Sequence, residues 1–511
     1  MKNHFTIAGR GSLLSIAQVE IFKKKVFEKF PGVQLNFIIK TTRGDNNQTQ
    51  PLHLVEGQDF FTKEIQDTLL NGEADFAIHS LKDVSSDQFF SKSHIAVFDK
   101  AIQHDVVIFN EDIQEKIKSN QLIRIGTCSP RRSHLTINFL VKALPKFNNT
   151  WLNITATDIR GNVDTRLNKL SNGEYDGIVL AFAGIERLLN FERSKKIISS
   201  LLLRKKIMVL PLTECPPAPG QGALVAETIN TNKDAVKILQ SINNRDWFES
   251  TQAERKFSHQ FGQGCNQQFG TVHLKKDDFE YSFAKGLNST GVEFYKDDFE
   301  SELDLNNKVI FSAADKMNGF YSKRFFSGTE LDESFNAVFI ASRHAVHSEN
   351  LKEQVSMKRV WAAGTKTWIE LAKKGIWVEG SADGFGLESI TDIFESSLIN
   401  IQKNNILILT NSSAEGHWQP DGWDTISTYD LIPDLQQNLI DELQKADIIF
   451  WTSFQQYLLS RKHLKAGVQH CCPAGKTAFL FSKEGIRPHI FPGIKIFNQW
   501  KLNHTIATVE E

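Results

Sequence analysis

Short apolar runs alternate with amphipathic stretches along most of the chain. Residues 5–8 are apolar and precede the amphipathic residues 13–29. Residues 35–40 follow, and residues 61–71 lead into the apolar run 74–79. Runs too short for a helix, each coupled to a stretch with helical periodicity, predict strand and helix in alternation and so an α/β fold with mainly parallel sheets. A second unit of this kind runs from a strand at 122–126, through a helix at 162–170, to a strand at 177–181. The proline-rich residues 211–219 predict a hinge or crossover, and the shorter mixed pattern of 222–300 predicts a small α+β domain. Residues 296–308 are acidic, polar and aperiodic, the pattern of a linker that few core contacts cross.

Beyond this linker the pattern repeats. Val338-Phe339-Ile340-Ala341-Ser342, Trp361-Ala362-Ala363-Gly364-Thr365-Lys366-Thr367 and Leu371-Ala372-Lys373-Lys374-Gly375-Ile376 come first. They return as Ile449-Phe450-Trp451-Thr452-Ser453, Cys472-Pro473-Ala474-Gly475-Lys476-Thr477 and Phe481-Ser482-Lys483-Glu484-Gly485-Ile486. The offset of about 110 residues exceeds solenoid periods of roughly 20 to 50, so it predicts two similar α/β lobes.

Length and charge limit the function classes. A chain of 511 residues exceeds what one core supports, which predicts roughly three to five domains. Its 59 basic and 60 acidic side chains leave a formal net charge of −1. No global field therefore draws nucleic acid or an anionic membrane, and any anion site must be built from local clusters. Residues 1–10 hold no apolar run of signal-peptide length and no stretch approaches a membrane span, so a soluble, cytoplasmic protein is expected. Five cysteines, at 128, 215, 265, 471 and 472, form no CxxC pair. Reduced thiols, without a disulfide framework or a metal site, are the expectation.

One thiol stands apart. Cys265 closes Gly262-Gln263-Gly264-Cys265, and a thiol after two glycines can sit on a tight, exposed turn with room for a bulky attached group. A lone cysteine otherwise fills a small apolar space. Upstream lie Gly9-Arg10-Gly11-Ser12, His79-Ser80-Leu81-Lys82-Asp83-Val84 and Gly126-Thr127-Cys128-Ser129-Pro130-Arg131-Arg132. Ile159-Arg160-Gly161-Asn162-Val163-Asp164-Thr165-Arg166-Leu167 and Pro219-Gly220-Gln221-Gly222-Ala223 follow. In this order the strings closely resemble the hydroxymethylbilane synthase family, also called porphobilinogen deaminase, over about the first 300 residues.

The resemblance implies two periplasmic-binding-like α/β lobes plus a small α+β domain, here residues 1–103 with 200–221, residues 104–199, and residues 222–300. It implies a monomeric transferase of tetrapyrrole biosynthesis that joins four porphobilinogen molecules head to tail into hydroxymethylbilane and releases ammonia. Its cofactor is a dipyrromethane primer, held covalently by the matching Cys265. Porphobilinogen is the partner, with neither nucleic acid nor membrane.

Such chemistry needs an acid that protonates the leaving amine and then stabilises a cationic azafulvene and pyrrole intermediate. One carboxylate near the pyrrole nitrogen can do both. The family's catalytic aspartate falls on Asp83, beyond the carboxyl end of the run 74–79, where α/β proteins gather catalytic groups. Alone, an Asp after Lys82 reads as a turn residue. The acetate and propionate on every ring favour guanidiniums, which bind carboxylates through paired hydrogen bonds. Arg10, Arg131, Arg132, Arg160 and Arg166 match the family's arginines, Ser12 and Ser129 add hydroxyls, and Lys82 adds a point charge. By the resemblance Asp83 and Lys82 are catalytic, Ser129, Arg131, Arg132, Lys82 and Asp83 serve the cofactor, and Arg10, Ser12, Phe61, Arg160 and Arg166 serve the substrate. Phe61 fits a core position at a helix start equally well. Gln58-Asp59 stands where the family often has lysine and glycine, Pro130 replaces an aliphatic residue, and Asn266-Gln267-Gln268 replaces a more apolar turn.

The C-terminal repeat resembles uroporphyrinogen-III synthase over about residues 306–500, on looser signatures: strands ending in Thr or Ser, the Gly-Lys-Thr turn, and Tyr429-Asp430-Leu431-Ile432-Pro433. That implies a two-lobed α/β region over 306–511 that closes hydroxymethylbilane to uroporphyrinogen III. Ser342, Ser412, Thr452, Ser453, Lys476 and Thr477 are cleft candidates by position and Tyr429 by match, although each alone also fits a cap or turn. The short interval between residues 309–312 and 338–342 predicts a shortened or missing strand–helix unit. Two other readings are a degenerate C-terminal module that stabilises or docks, and a non-catalytic anion-binding protein of two hinged lobes. A mere binder needs neither Cys265 nor Asp83. Gly475-Lys476-Thr477 lacks the leading glycine of a phosphate loop.

Overall fold

The computed structural model describes residues 2–41, 62–84, 93–147, 152–262, 267–276, 279–314, 316 and 319–507. Gln58, Asp59, Phe61 and Cys265 lie outside them.

The predicted alternation is realised. The first sheet takes β1 (His4–Gly9), β2 (Gln34–Ile39), β3 (Phe76–Ser80) and β4 (Ser93–Lys100). The second takes β5 (Asp105–Phe109), β6 (Ile123–Gly126), β7 (Ile154–Thr157), β8 (Gly177–Ala181) and β9 (Lys206–Val209), in the order β7-β6-β8-β5-β9. The chain then returns to the first sheet as β10 (Ala223–Ile229), giving the order β2-β1-β3-β10-β4. β1 runs parallel to β2 and β3, while β10 is antiparallel to β3 and β4.

The expected boundaries need correction at this point. β9 pairs with β5 and so belongs to the second domain, not the first. β10 and the helix Lys233–Ile242 belong to the first domain, not the small one. The reason is burial: residues 223–228 are buried on both faces of the strand, and a strand of that kind needs neighbours on both edges and cover above and below. Composition alone could not show that its partners lie so far back in the chain.

The chain therefore crosses twice between the two domains, at 101–104 and 210–222. The two crossovers touch. Gly222 adopts φ +90°, and a Cβ there would meet the Ala101 oxygen at 2.4 Å. The helix Leu13–Lys29 begins at Ser12, whose hydroxyl accepts from Ser15 N, and buries Ala17, Val19, Phe22 and Val26 against the first sheet. In the second domain Ser129 caps Pro130–Ala143, with proline in the first turn where no donor is needed.

The small domain is the antiparallel sheet of β11 (Phe269–Lys276), β12 (Phe279–Leu287) and β13 (Glu293–Asp297). It follows the helix Arg245–His259.

The C-terminal half has two lobes, one nested in the other. β14 (Ile310–Ser312) starts the outer lobe. The inner lobe follows with β15 (Tyr321–Phe325), β16 (Ala337–Ile340), β17 (Arg359–Ala362), β18 (Gly380–Ser381), β19 (Ile406–Asn411) and β20 (Asp424–Pro433), in the order β15-β20-β19-β16-β17-β18. The outer lobe is then completed by β21 (Ile448–Phe450), β22 (Gln469–Pro473) and β23 (His489–Phe491), in the order β14-β21-β22-β23. The repeat is visible as β16 beside β17 and β21 beside β22, each pair parallel and each followed by a helix that opens at the small-residue turn. The shortened unit is present too. A parallel return to the outer sheet needs a dozen or more residues, whereas residues 313–320 lead from β14 straight into the inner lobe.

The halves share their cores, and the expectation that few contacts cross 296–308 is overturned. Trp368 and Trp377 of the inner lobe pack edge-on against Phe139 and Phe109 of the second domain. Lys146 N donates to Ala372 O at 2.7 Å, and Val209 N, at the edge of the second sheet, donates to Glu379 O at 2.7 Å. Phe299 of the small-domain end meets Phe491 of the outer lobe at 5.0 Å, within one apolar cluster that includes Phe283, Phe497 and Trp500. A polar, aperiodic segment reports its own solvation, not the packing of the domains it joins.

Candidate active site

Four of the five matched motifs upstream of Cys265 occupy the loops after β1, β3, β6 and β7, at the carboxyl ends of strands, and the fifth, 219–223, closes the second crossover and enters β10. After β3 the chain makes one 3₁₀ turn, Leu81–Asp83. Leu81 anchors it in the core, and Lys82 and Asp83 are left half-buried. Arg255, on the helix that leads toward Cys265, donates to the oxygens of Leu81 and Val84 at 3.5 and 3.1 Å and so brackets this turn. From the same helix Glu254 accepts from Gly220 N at 2.8 Å. Past the helix, Gln267 Nε2 donates to Gly262 O at 2.8 Å, tying together the two residues that flank 263–266.

At the floor lies Asp105, fully buried. Arg131 Nη1 donates to its Oδ2 at 2.9 Å and Arg132 Nη2 to its Oδ1 at 2.7 Å, while Gln221 Nε2 adds a third donor at 2.8 Å. Burial would push this carboxyl up, but the two guanidiniums outweigh burial and hold it well below the ordinary range. Arg131 also donates to Pro216 O at 2.8 Å. One nitrogen of its guanidinium, Nη1, thus holds both the cage and the second crossover.

Arg132 differs. Its Nε is buried with no hydrogen-bond partner, although its charge interacts with Asp83 and Cys128. Arg166 interacts with Cys128, Arg132 and Arg160, and its Nη2 donates to Cys128 Sγ at 3.8 Å. Lys82 Nζ lies 3.4 Å from Gln221 Oε1; burial lowers its pKa, with Asp83 opposing. The structure thus gathers Lys82, Asp83, Arg132, Arg160 and Arg166, in which cations outnumber carboxylates. His79, under the same turn, is pushed down to about 4 by burial, Asp83 partly opposing, and stays neutral. Arg10 and Ser12 sit after β1, next to β3, with the Ser12 hydroxyl spent on its helix cap. Ser129 is likewise a cap, accepting from Arg132 N at 3.4 Å.

Sequence reasoning missed Asp105, Arg255 and Cys128. Asp105 carried a signal, since a carboxylate heading the wholly apolar run Val106–Phe109 must be paired if that strand is buried. Nothing marked the partners of Arg255. Among the described residues no group of three His, Cys, Asp or Glu could hold a metal, and no helix is long and apolar enough to cross a membrane.

The C-terminal candidates have local roles. Ser342 Oγ accepts from His344 N, and Ser412 pairs with Asp430. Tyr429 is buried beside Phe325 and His344. Thr452 and Ser453 bond Gln456 in a capping box, and Thr477 lies in the first turn of its helix. Lys476 crosses between lobes to Asp421 at 2.7 Å.

Two α/β domains joined by paired crossovers, with a buried ion cage at their junction and a cluster of guanidiniums around one carboxylate, have the charge pattern of a site for polycarboxylate molecules. A family model described as porphobilinogen deaminase, dipyromethane cofactor binding domain, matches residues 5–237. The porphobilinogen deaminase of Caldicellulosiruptor saccharolyticus is 32% identical over 310 residues, covering 59% of this chain and 96% of that protein. A protein of Saccharolobus islandicus named probable porphobilinogen deaminase is 33% identical over 281 residues, 54% of this chain and 85% of its own. The chain belongs to the porphobilinogen deaminase family. With the family come its activity class, a transferase of tetrapyrrole biosynthesis acting on porphobilinogen, and its dipyrromethane cofactor.

Two solved structures are also similar to this chain. The uroporphyrinogen-III synthetase of Helicobacter pylori is 19% identical and covers 36% of this chain and 90% of its own, at a TM-score of 0.25. A probable amino-acid transporter binding protein of Bacillus subtilis is 13% identical and covers 47% and 92%, at a TM-score of 0.27. Scores this low carry no argument.

The residues present fit a dipyrromethane. Its acetate and propionate groups are hydrogen-bond acceptors, and the orphan Arg132 Nε is a buried donor without one.

Proposed function

We propose that the chain makes hydroxymethylbilane by adding successive porphobilinogens to a dipyrromethane held through Cys265, with Asp83 as the acid. The observation that carries this reading is a single carboxylate, Asp83, set among Lys82, Arg132 and the buried cage, on a turn bracketed by the helix that leads to Cys265. When bound, the cofactor supplies a nucleophilic pyrrole carbon. The protein's residues do the rest. Arg132, Arg160, Arg166 and Lys82 bind ring carboxylates and fix their register, and Ser12, Ser129 and Arg10 border the same space. Asp83 gives a proton to the leaving amine, which departs as ammonia, and its carboxylate then faces the positive charge that develops on the pyrrole nitrogen. Neutral His79 beneath the turn adds no competing charge.

Intact-mass measurement of the purified chain tests this. Wild type should carry the mass of two linked pyrroles, and Cys265→Ala should lack it while remaining soluble. Asp83→Asn should keep the adduct and lose at least about a hundredfold in turnover, the scale of lost acid–base catalysis. An adduct that persists in Cys265→Ala would sink the assignment.

The two nested lobes, bridged across their cleft by Lys476 and Asp421, support ring closure to uroporphyrinogen III as the task of the C-terminal half. Hydroxymethylbilane closes spontaneously to the type I isomer, so the product reports on this half. Full-length protein fed porphobilinogen should yield mainly type III; type I alone would leave the region a docking module.

A further inference from the structure

Asp383 belongs to the inner C-terminal lobe, in the turn after β18, yet its carboxylate is spent on the deaminase half. Its Oδ2 accepts from Leu212 N at 2.6 Å and its Oδ1 from Thr213 Oγ1 at 2.6 Å, and Thr213 N adds a further bond. The residue holds φ +55°, a left-handed turn conformation that aspartate adopts more readily than most residues.

Leu212 and Thr213 lie near the start of the second crossover, and several later residues of that crossover are gripped in turn. Cys215 Sγ donates to Leu135 O at 3.5 Å. Pro216 O accepts from Arg131, and Pro217 O accepts from Thr271 N at 3.0 Å. The approach at Pro216 leaves no room for a side chain on the facing strand, because a Cβ on Gly270 would lie 1.9 Å from the Pro216 oxygen. Gly220 N is held by Glu254, and Gln221 reaches Asp105. The backbone of the crossover, pinned by these hydrogen bonds at successive residues, thus joins a carboxylate of the C-terminal half to the Arg131–Asp105–Arg132 cage.

We infer that Asp383 is a positioning residue for bilane synthesis: it fixes the start of the second crossover, and through Pro216 and Gln221 it sets the cage that orients Arg132 toward the cofactor. The inference rests on the deaminase reading above. It gives the C-terminal half a part in the first reaction whether or not it performs a second. A carboxylate is suited to the place because it can accept from several donors at once, including backbone N–H groups. An amide keeps the shape, but it offers one acceptor oxygen and turns two N–H donors toward donors.

The test uses the full chain and measures three things: adduct mass, kcat and KM for porphobilinogen, and amide hydrogen exchange at residues 212–213. Asp383→Asn should retain the adduct and a KM within about twofold. Its kcat should fall about tenfold, the scale of mutations along a coupled network, and Leu212 and Thr213 should exchange faster. Asp383→Glu should recover part of the loss, as a merely space-filling role would not. Should Asp383→Asn precipitate, Thr213→Val removes the Oδ1 partner alone and should lower kcat roughly two- to fivefold. A wild-type chain that makes no bilane removes both readings. Wild-type kcat in a variant whose crossover amides exchange faster removes this one alone.

Discussion

Trp368 of the C-terminal half donates its indole nitrogen to the backbone oxygen of Ala143 at 3.0 Å, closing the last turn of a helix of the deaminase half. The indole is fully buried and meets Phe139 of the same helix edge-on at 5.1 Å. A helix end buried without a partner is costly, and here the partner comes from the other half of the chain.

Cutting the chain near residue 306 should therefore fail to give a well-behaved deaminase, because Phe139, Phe109 and the edge strand β9 would lose their cover together. Trp368→Ala in the full chain should cost about 3–5 kcal/mol, the range for emptying a buried aromatic site. Urea unfolding checks the variant, and soluble yield with light scattering checks the truncation. A monodisperse truncated protein with full turnover would show the interface to be dispensable.

Arg131 and Arg132 are neighbours in sequence and should part in function. Arg131→Lys keeps the charge but replaces the rigid, planar group whose Nη1 reaches both Asp105 and Pro216 with a shorter, flexible one, so it should chiefly lower stability, by about 1–3 kcal/mol. Arg132→Lys keeps a charge near Asp105 but removes the orphan Nε, and should chiefly reduce adduct content by mass. Arg166→Lys should behave like Arg132→Lys. Equal effects of the two neighbours on stability and on adduct would refute this division of labour.

Much of this was legible from residue order. Leu13–Lys29 and Gly177–Ala181 have the bounds that periodicity predicts, and the motif loops fall at strand ends as expected. The failures share a cause, which is dependence on distant partners. β10 reads as the start of a new domain until its neighbours β3 and β4 are seen. Asp105 reads as the polar start of an apolar strand until Arg131 and Arg132 are found beside it. Nothing in the sequence around Asp383 points to its partners Leu212 and Thr213. Spacing encodes local geometry, whereas the pairing of a buried charge is settled by topology.

The titration of His79 gives the remaining prediction. Burial lowers its folded pKa to about 4 from an ordinary value of 6.5, with Asp83 opposing. The folded state thus binds this proton less readily than the unfolded chain does, so stability rises with pH across the window between the two values. The contribution is complete above about pH 6.5 and is lost as pH falls toward 4, amounting to about 2 kcal/mol by pH 5. The buried Glu227 and Glu254 act in the opposite sense, because burial raises their pKa values and their protonated forms favour the fold as pH falls. Glu254 cancels in a comparison of wild type with His79→Gln, whereas Glu227, whose carboxylate lies 3.7 Å from His79 Nε2, is read together with it as one coupled pair. Between pH 7 and pH 5 wild type should lose about 2 kcal/mol more than the variant in urea unfolding. Parallel stability profiles for the two proteins would mean that His79 is not held neutral beneath the Asp83 turn.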